Sequence, residues 1–479
     1  MILSHLNRYL RPAHTYYVDA TAGSDSNPGN AEHSALQTIA AVNALALKPG
    51  DRVLFKRGET WTGTITVPSG GAPGRYITMD AYGDGAAPIL NGDTSAAIQA
   101  TAVNRGYWRI RNLDIRCTGD VASGSRGIFH RAGPSWVDDV PGWFIEYCTF
   151  NCGILIRSSN VIVAHNTFDG TGNSEAKNAL WITLPISVAP LVEWNTFSNY
   201  LGRGIWVEGC GGNPVVRHNT VHDIADLVGL QYSAGIDIDG WDTPMGGAVV
   251  EYNRVYNSDF GIQLENCFGE PICRSNIISG TDREGIQIIC YGAHDSAPEM
   301  RGVDVGGKLY NNLVYDCRAG LNVYYSAGYD AFHNTFSNND VGADGAVLMQ
   351  YDSGQSAQVA GWVWKNNVVD WAGGDIWSAE DIDIFETQDN NVYSSSGGSF
   401  AIVSPWSTRN FAQYQIDTAQ EANSVAADPV FVNEATDDYH LQVTSPCIGA
   451  GDATAGVTKD LDGVVRGAAV DIGAYEYVA

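Results

Sequence analysis

Along most of the chain apolar and polar residues alternate with period two, in short runs broken by glycine or asparagine. Such alternation marks strands with one buried face. One run has the form Gly-apolar-x-apolar-x. It occurs as GIFHR at Gly127, GILIR at Gly153, GIWVE at Gly204, GIDID at Gly235, GIQLE at Gly261, GIQII at Gly285 and GLNVY at Gly320, with ALWIT at Ala179 in the same phase. Between these runs falls a second motif, apolar-x-x-Asn-x-apolar, centred on Asn166, Asn195, Asn219, Asn253, Asn276, Asn312, Asn334, Asn367 and Asn391, at separations of 22 to 36 residues. A unit of that size with short strands and no helical period cannot bury its apolar face alone, so the units must stack.

The expected fold is therefore all-β: a parallel β-helix solenoid in which the Asn side chains stand where each coil turns and bond to one another up and down a ladder. Residues 36–47 (LQTIAAVNALAL) carry apolar residues at helical spacing before Lys48-Pro49-Gly50, which predicts one amphipathic helix capping the N-terminal end of the core. The stretch after Asn391 is polar, and residues 411–479 read as an irregular C-terminal cap. The domain reading is residues 1–63 for the N-terminal segment and helix cap, 64–394 for the β-helix and 395–479 for the C-terminal cap.

Composition narrows the function. Fifty-four acidic residues against 27 Lys and Arg give a net charge of −27, a field that repels nucleic acid and anionic membranes. No apolar run reaches the roughly 18 residues of a spanning helix, and residues 1–11 lack the layout of a signal peptide, so membrane insertion and a cleaved leader are not expected. The nine cysteines are odd in number and irregular in spacing, which reads as buried small hydrophobes rather than a disulfide framework. Cys148 and Cys152 are the only close pair, too few for a zinc site. Asp460-x-Asp462-Gly463 is a candidate calcium loop, against which Arg466 offers a plain ion pair.

The candidate chemistry follows from the strand phase. In each Gly-apolar-x-apolar-x strand the two apolar residues face the core and the two x residues face out, stacking coil upon coil. The first outer column runs Phe129, Leu155, Trp181, Trp206, Asp237, Gln263, Gln287, Asn322; the second runs Arg131, Arg157, Thr183, Glu208, Asp239, Glu265, Ile289, Tyr324. Three consecutive coils thus place Glu208, Asp239 and Glu265 one above another, with Asp237 beside Asp239. Neighbouring coils lie about 4.8 Å apart and residues i and i+2 about 6.6 Å, so diagonal pairs come near 8 Å. Crowded carboxylates drive one pKa up while a neighbour stays ionised, as glycoside hydrolysis requires, and separations of about 6.5–9.5 Å favour inversion. The expected catalytic residues are Asp239 as general acid, with Glu208, Asp237 or Glu265 activating water; no metal is expected. Trp181 and Trp206 offer flat surface to sugar rings, and Arg131, Arg157, Gln263, Gln287, Asn322 and Tyr324 extend the stripe. His165, His218 and His333 precede ladder Asn residues and read as turn residues. His222, Asp223, Trp241 and His294 are placed in insertions beside the cleft.

The segment of residues 16–63 (YYVDATAGSDSNPGN and, further on, GDRVLFKRGETWTG) resembles the start of the right-handed β-helix superfamily that includes pectate lyases and phage tailspikes. The closing motifs DPVF at Asp428, SPCIGAG at Ser445 and DLDGVVRGAAVDIGAYEY from Asp460 resemble the exit segment of the same proteins. The resemblance implies a right-handed coil and, with the acid column, an endo-acting polysaccharide depolymerase: a glycoside hydrolase, as in a phage tailspike, acting on bacterial surface or extracellular polysaccharide. The alternatives are a polysaccharide lyase of the same fold, with calcium as its cofactor and Arg131, Arg157 or Tyr324 in the chemistry, and a non-catalytic glycan-binding spike. The tailspike reading further implies a homotrimer on the virion tail, or an extracellular enzyme; no cofactor is expected of a hydrolase.

Overall fold

The computed structural model describes residues 12–101, 105–118, 126–130, 142–174, 176–183, 190–209, 212–225, 233–240, 247–267, 269–290, 306–338, 346–350, 359–371, 376–379, 384–395, 400–403 and 407–479. The chain divides into two units, one ending at Tyr200 and the other beginning at Leu201. Each is a stack of coils in which every coil gives one strand to each of three sheets. In the first unit one sheet runs Thr15–Val18, Arg52–Lys56, Ile77–Tyr82, Trp108–Arg111 and Trp143–Glu146, all parallel and in successive pairs. In the second unit the corresponding run begins Val215–Arg217, Val249–Glu251, Ile272–Arg274 and Gly307–Tyr310. Among the described residues the antiparallel strand pairs are Ala401–Val403 with Ser407–Arg409 and Phe431–Asn433 with Asp438–Leu441. This is the parallel β-helix that the repeat predicts.

Strand pairing starts earlier than residue 64, because the period-two segment Thr15–Val18 already pairs with Arg52–Lys56. The N-terminal helix is also shorter than the spacing of residues 36–47 suggests. It spans Ile39–Asn43 (α1), capped by Thr38, whose hydroxyl accepts from the Ala41 amide at 3.2 Å. Leu36 is withdrawn from it because its backbone bonds to Tyr17 and Asp19, both at 2.9 Å. Asn43 ties α1 to the coil below through the Thr64 carbonyl and the Thr66 amide, at 3.0 and 2.9 Å.

The recurring Gly has a steric cause. A Cβ on Gly235 would stand 2.4 Å from Val255 Cγ1 and 3.0 Å from the Gly261 carbonyl oxygen, so only glycine lets neighbouring coils close at this corner.

The recurring Asn forms the ladder. In the second unit the backbone amide and the Nδ2 of Asn253 both donate to Asn276 Oδ1, at 3.0 and 3.1 Å. The same double bond links Asn219 to Asn253, Asn276 to Asn312, Asn312 to Asn334, Asn334 to Asn367 and Asn367 to Asn391. Asn391 then donates to Glu421 Oε2 at 3.0 Å, and its amide to Ser424 Oγ at 2.7 Å. In the first unit Asn166 bonds Asn195 in the same way, and the preceding coil puts Cys148 at the Asn position, its amide donating to Asn166 Oδ1 at 2.9 Å. The residue before each ladder Asn adopts a left-handed backbone, with φ of 57° at His165, 55° at His218 and 54° at His333. Aromatic residues there stack on one another: Tyr147 on His165 at 5.0 Å, and His218 on Tyr252 at 5.1 Å.

The C-terminal segment is a strap laid back over the turns of four coils. Asn390 Nδ2 donates to the Ala450 carbonyl, Asn366 to that of Asp452 and Asn311 to that of Lys459, while His333 Nδ1 meets the Asp471 carbonyl at 3.0 Å. Arg466 is buried and pairs with Glu476 at 2.7 Å rather than with Asp460. Asp460 accepts from the amides of Val464 and Glu476, and Asp462 meets His440, so the candidate calcium loop is tied by internal bonds. The helix Phe411–Thr418 (α2) buries Tyr414 against Phe400, at a ring separation of 5.0 Å. The eight described cysteines are buried free thiols.

One core position breaks the apolar pattern. His130 ends the strand Ile128–His130 fully buried, 5.0 Å from the Trp143 ring, and among the described residues neither ring nitrogen has a hydrogen-bond partner. Burial depresses its pKa from 6.5 to about 3. The native state therefore holds a neutral ring where the unfolded chain is protonated, and stability is lost as pH falls from about 6.5 towards 3. His130→Leu is expected to stabilise the fold by ~1–3 kcal/mol near neutrality, the cost of an unsatisfied buried polar group, and by more at pH 4. Denaturant unfolding at both pH values checks this; a variant as acid-labile as the parent would refute it.

Candidate active site

Five consecutive strands of one sheet carry the candidate site, all within the second unit: β1 (Arg203–Glu208), β2 (Ala234–Asp239), β3 (Phe260–Glu265), β4 (Glu284–Ile289) and β5 (Ala319–Tyr324). Ile205, Val207, Ile236, Ile238, Ile262 and Leu264 point into the core and fix the phase of each strand. The opposite parity then stacks in register. Trp206 lies opposite Asp237, Asp237 opposite Gln263, Gln263 opposite Gln287 and Gln287 opposite Asn322. In the second column Glu208 lies opposite Asp239, Asp239 opposite Glu265, Glu265 opposite Ile289 and Ile289 opposite Tyr324. Both columns read from the sequence in this unit are thus assembled.

The face is less open than a solvated ridge. Asp237 is 0% exposed and Asp239 3%, whereas Glu208 and Glu265 are partly exposed. One oxygen of Asp237 accepts from Arg203 Nε, and the Arg203 guanidinium lies 4.2 Å from the centroid of the Trp206 ring. Among the described residues the other oxygen of Asp237 has no hydrogen-bond partner. Burial raises the Asp237 pKa and the Arg203 charge draws it back down, leaving a net upward shift. Glu265 is pushed up to about 8, first by burial and then by the charges of Asp237 and Asp239. A carboxyl that keeps its proton at neutral pH therefore stands beside an acid-rich column.

The polar stripe continues through β4 and β5. Gln263 Nε2 donates to Gln287 Oε1 at 2.6 Å, and Asn322 Nδ2 to Glu284 Oε1 at 3.0 Å. Trp206 turns one ring face to Arg203, which leaves less of it for a sugar than the sequence reading assumed. Trp181 and Arg157 belong to the first unit, where the Arg126 guanidinium lies 5.2 Å from the Trp181 ring centroid and Arg157 is buried. Arg131, Trp241 and His294 lie outside the described residues. His222 and Asp223 do not sit in an insertion: they belong to the strand Thr220–Ala225 of another sheet, bonded to each other at 2.7 Å, with His222 stacked on Tyr256.

Two residues escaped the sequence reading, Arg203 and Glu284. Both stand immediately before the strand glycine, a position that forms a third column. Their signal was the charge at the start of RGIWVE and EGIQII. Among the described residues no group of three or more His, Cys, Asp and Glu side chains is disposed to hold a metal ion. A cavity of about 750 Å³ lies elsewhere, lined by Tyr393, Phe400, Arg409, Phe411 and Asp428, and includes none of the predicted site residues.

A family model described as a right-handed β-helix region matches residues 140–248. The chain is a right-handed parallel β-helix. Among solved structures it is similar to a lacto-N-biosidase from Eubacterium ramulus (14% identity, 89% of this chain and 69% of that one, TM-score 0.34). It is also similar to a rhamnogalacturonan lyase (17%, 88% and 92%, 0.45), and to a mannuronic acid specific family 6 polysaccharide lyase from human gut microbiota (14%, 77% and 81%, 0.46). No curated protein matches the sequence.

Proposed function

We propose that this protein is an endo-acting glycoside hydrolase that cleaves a polysaccharide laid across β1–β5. The observation that carries the reading is the column Glu208, Asp239, Glu265, in which one carboxyl is held protonated by its surroundings. Hydrolysis of a glycosidic bond needs an acid to protonate the leaving oxygen and a carboxylate on the other side to activate water or attack the sugar. Glu265 suits the first role better than Asp239, because it keeps its proton at neutral pH and its side chain is partly open to solvent. Glu208, also partly exposed, suits the second. The two stand two strands apart, about 9.6 Å between backbones along the column, at the wide edge of the roughly 6.5–9.5 Å carboxyl spacing associated with inversion. Burial is the main reason that Glu265 keeps its proton, and the charges of Asp237 and of Asp239, which stands between the two, add to it. A lyase would need a base and a group to neutralise a uronate; on β1–β5 the one guanidinium, Arg203, is already paired with Asp237.

On this reading the polymer is a bacterial surface or extracellular polysaccharide, met by a phage tail component or a secreted enzyme. The test is digestion of a panel of such polysaccharides followed by mass spectrometry and proton NMR of the fresh products. Hydrolysis adds one water per break and leaves saturated ends, with the anomer inverted; unsaturated ends would replace this reading with β-elimination.

A further inference from the structure

Arg126 is a cation to which the fold gives no anion. It stands just before the strand Ile128–His130 in the first unit, and its guanidinium lies 5.2 Å from the centroid of the Trp181 ring. Among the described residues no carboxylate pairs with it, and its Nε is buried without a hydrogen-bond partner. The two Nη groups are not closed off, and the side chain as a whole is partly exposed. Burial draws its pKa from 12.5 down to about 10, and no neighbouring carboxylate draws it back. Other arginines of this acid-rich chain find a partner readily: Arg109 pairs with Glu146, Arg116 with Asp114 and Arg274 with Glu251.

The surroundings account for the missing partner. Phe129, Leu155 and Trp181 stack in register as an apolar column. The strands Ile128–His130, Ile154–Ile156 and Asn178–Thr183 carry no carboxyl side chain. Arg157, two residues beyond Leu155, brings a second guanidinium to the same sheet face. The Trp181 ring offers a cation–π contact that holds the Arg126 guanidinium in place without cancelling its charge. A largely buried charge without a counter-charge is costly. A planar oxyanion would supply that counter-charge, since the guanidinium fork matches it with two parallel hydrogen bonds.

We infer that this face of the first unit binds a glycan through an oxyanion on one of its sugars, a carboxylate or a sulfate held by Arg126, with the sugar ring against the apolar column. The inference takes from the proposed function only that the ligand is a polysaccharide, and it does not require cleavage.

The experiment is affinity electrophoresis of the full chain against uronate polysaccharides, before and after reduction of their carboxylates, and against sulfated polysaccharides, before and after desulfation. Retardation by at least one anionic polymer is expected, lost once the charged group is removed. Arg126→Met should weaken it by about 10- to 100-fold, the worth of a hydrogen bond to a charged group. The net charge of −27 repels a polyanion from the chain at large, so such retardation is local. The arm that responds distinguishes carboxylate from sulfate. Urea unfolding of the same variant without polymer separates a binding residue from a structural one: its midpoint should be no lower than the parent's, because the substitution removes a charge that has no partner. A lower midpoint, retardation that survives loss of the charged group or is unchanged in the variant, or no retardation by any anionic polymer overturns the inference. Cleavage is scored separately. Retardation without cleavage leaves the inference standing and counts against the hydrolase reading; saturated products from neutral polymers, with no anionic polymer retarding the chain, do the reverse.

Discussion

Replacing Glu265 by Gln is expected to lower kcat by about 10²–10⁴-fold, the usual worth of a general acid, and to remove the alkaline limb of the pH profile. In the parent that limb should fall near pH 8, because Glu265 donates only while protonated and its pKa lies at about 8. The same shift has a consequence for stability with a fixed sign. Between the ordinary glutamate pKa of 4.5 and about 8 the native state keeps a proton that the unfolded chain has lost, so stability falls as pH rises through this window and is level above it. Glu265→Gln relieves that loss and should be the more stable protein at pH 8 to 9, by on the order of a few kcal/mol. Turnover within tenfold of the parent, or a melting curve unchanged at alkaline pH, would remove Glu265 from the acid role.

Arg203→Met is expected to destabilise the second unit by ~3–5 kcal/mol, because it leaves Asp237 buried without its one cation. The guanidinium bonds Asp237 and covers Trp206, so the substitution removes both a charge partner and a cation–π contact. Adding Asp237→Asn should recover most of the loss, since the uncompensated charge then disappears. Urea unfolding of the single and double variants checks the pair. A single-variant loss under about 1 kcal/mol, the value of an exposed ion pair, would show that Asp237 is not committed to Arg203.

The coil and its register were legible because both depend on local pattern. Period two decides which side chain faces the core, and a one-residue slip would invert every strand. The pairing of Glu208 with Asp239 and of Asp239 with Glu265 therefore followed from Ile205, Ile236 and Ile262 being apolar. Other features depend on distant parts of the chain and left a weaker trace. The burial of Asp237 is not a property of its strand, and an outward position in the alternation does not tell whether something lies over it. Arg203 was missed because the alternation was read from the glycine onwards. Cys148 is buried, as its reading as a small hydrophobe expects, but its place in the ladder was not read although EYCTF copies the ladder motif with Cys for Asn. The span of α1 was misjudged because its first turn competes with backbone pairing to Tyr17 and Asp19. The strap contacts join residues 60 to 148 positions apart, from Asn390 with Ala450 to Asn311 with Lys459, and no periodicity encodes them.

The asparagine ladder has a polarity. Each carboxamide donates to the next coil and accepts from the one before, so the amide dipoles of the second unit point one way and reinforce one another, as peptide groups do in a helix. Such an array needs an acceptor for its last donor, and Glu421 provides it by accepting from Asn391 and, through its other oxygen, from Tyr393. Whole coils could therefore be spliced into or out of the middle with the array unbroken, whereas shortening the chain at its far end would remove the acceptor on which the array terminates. Growth or loss of length in relatives of this protein should accordingly be found between Asn219 and Asn391, upstream of Glu421.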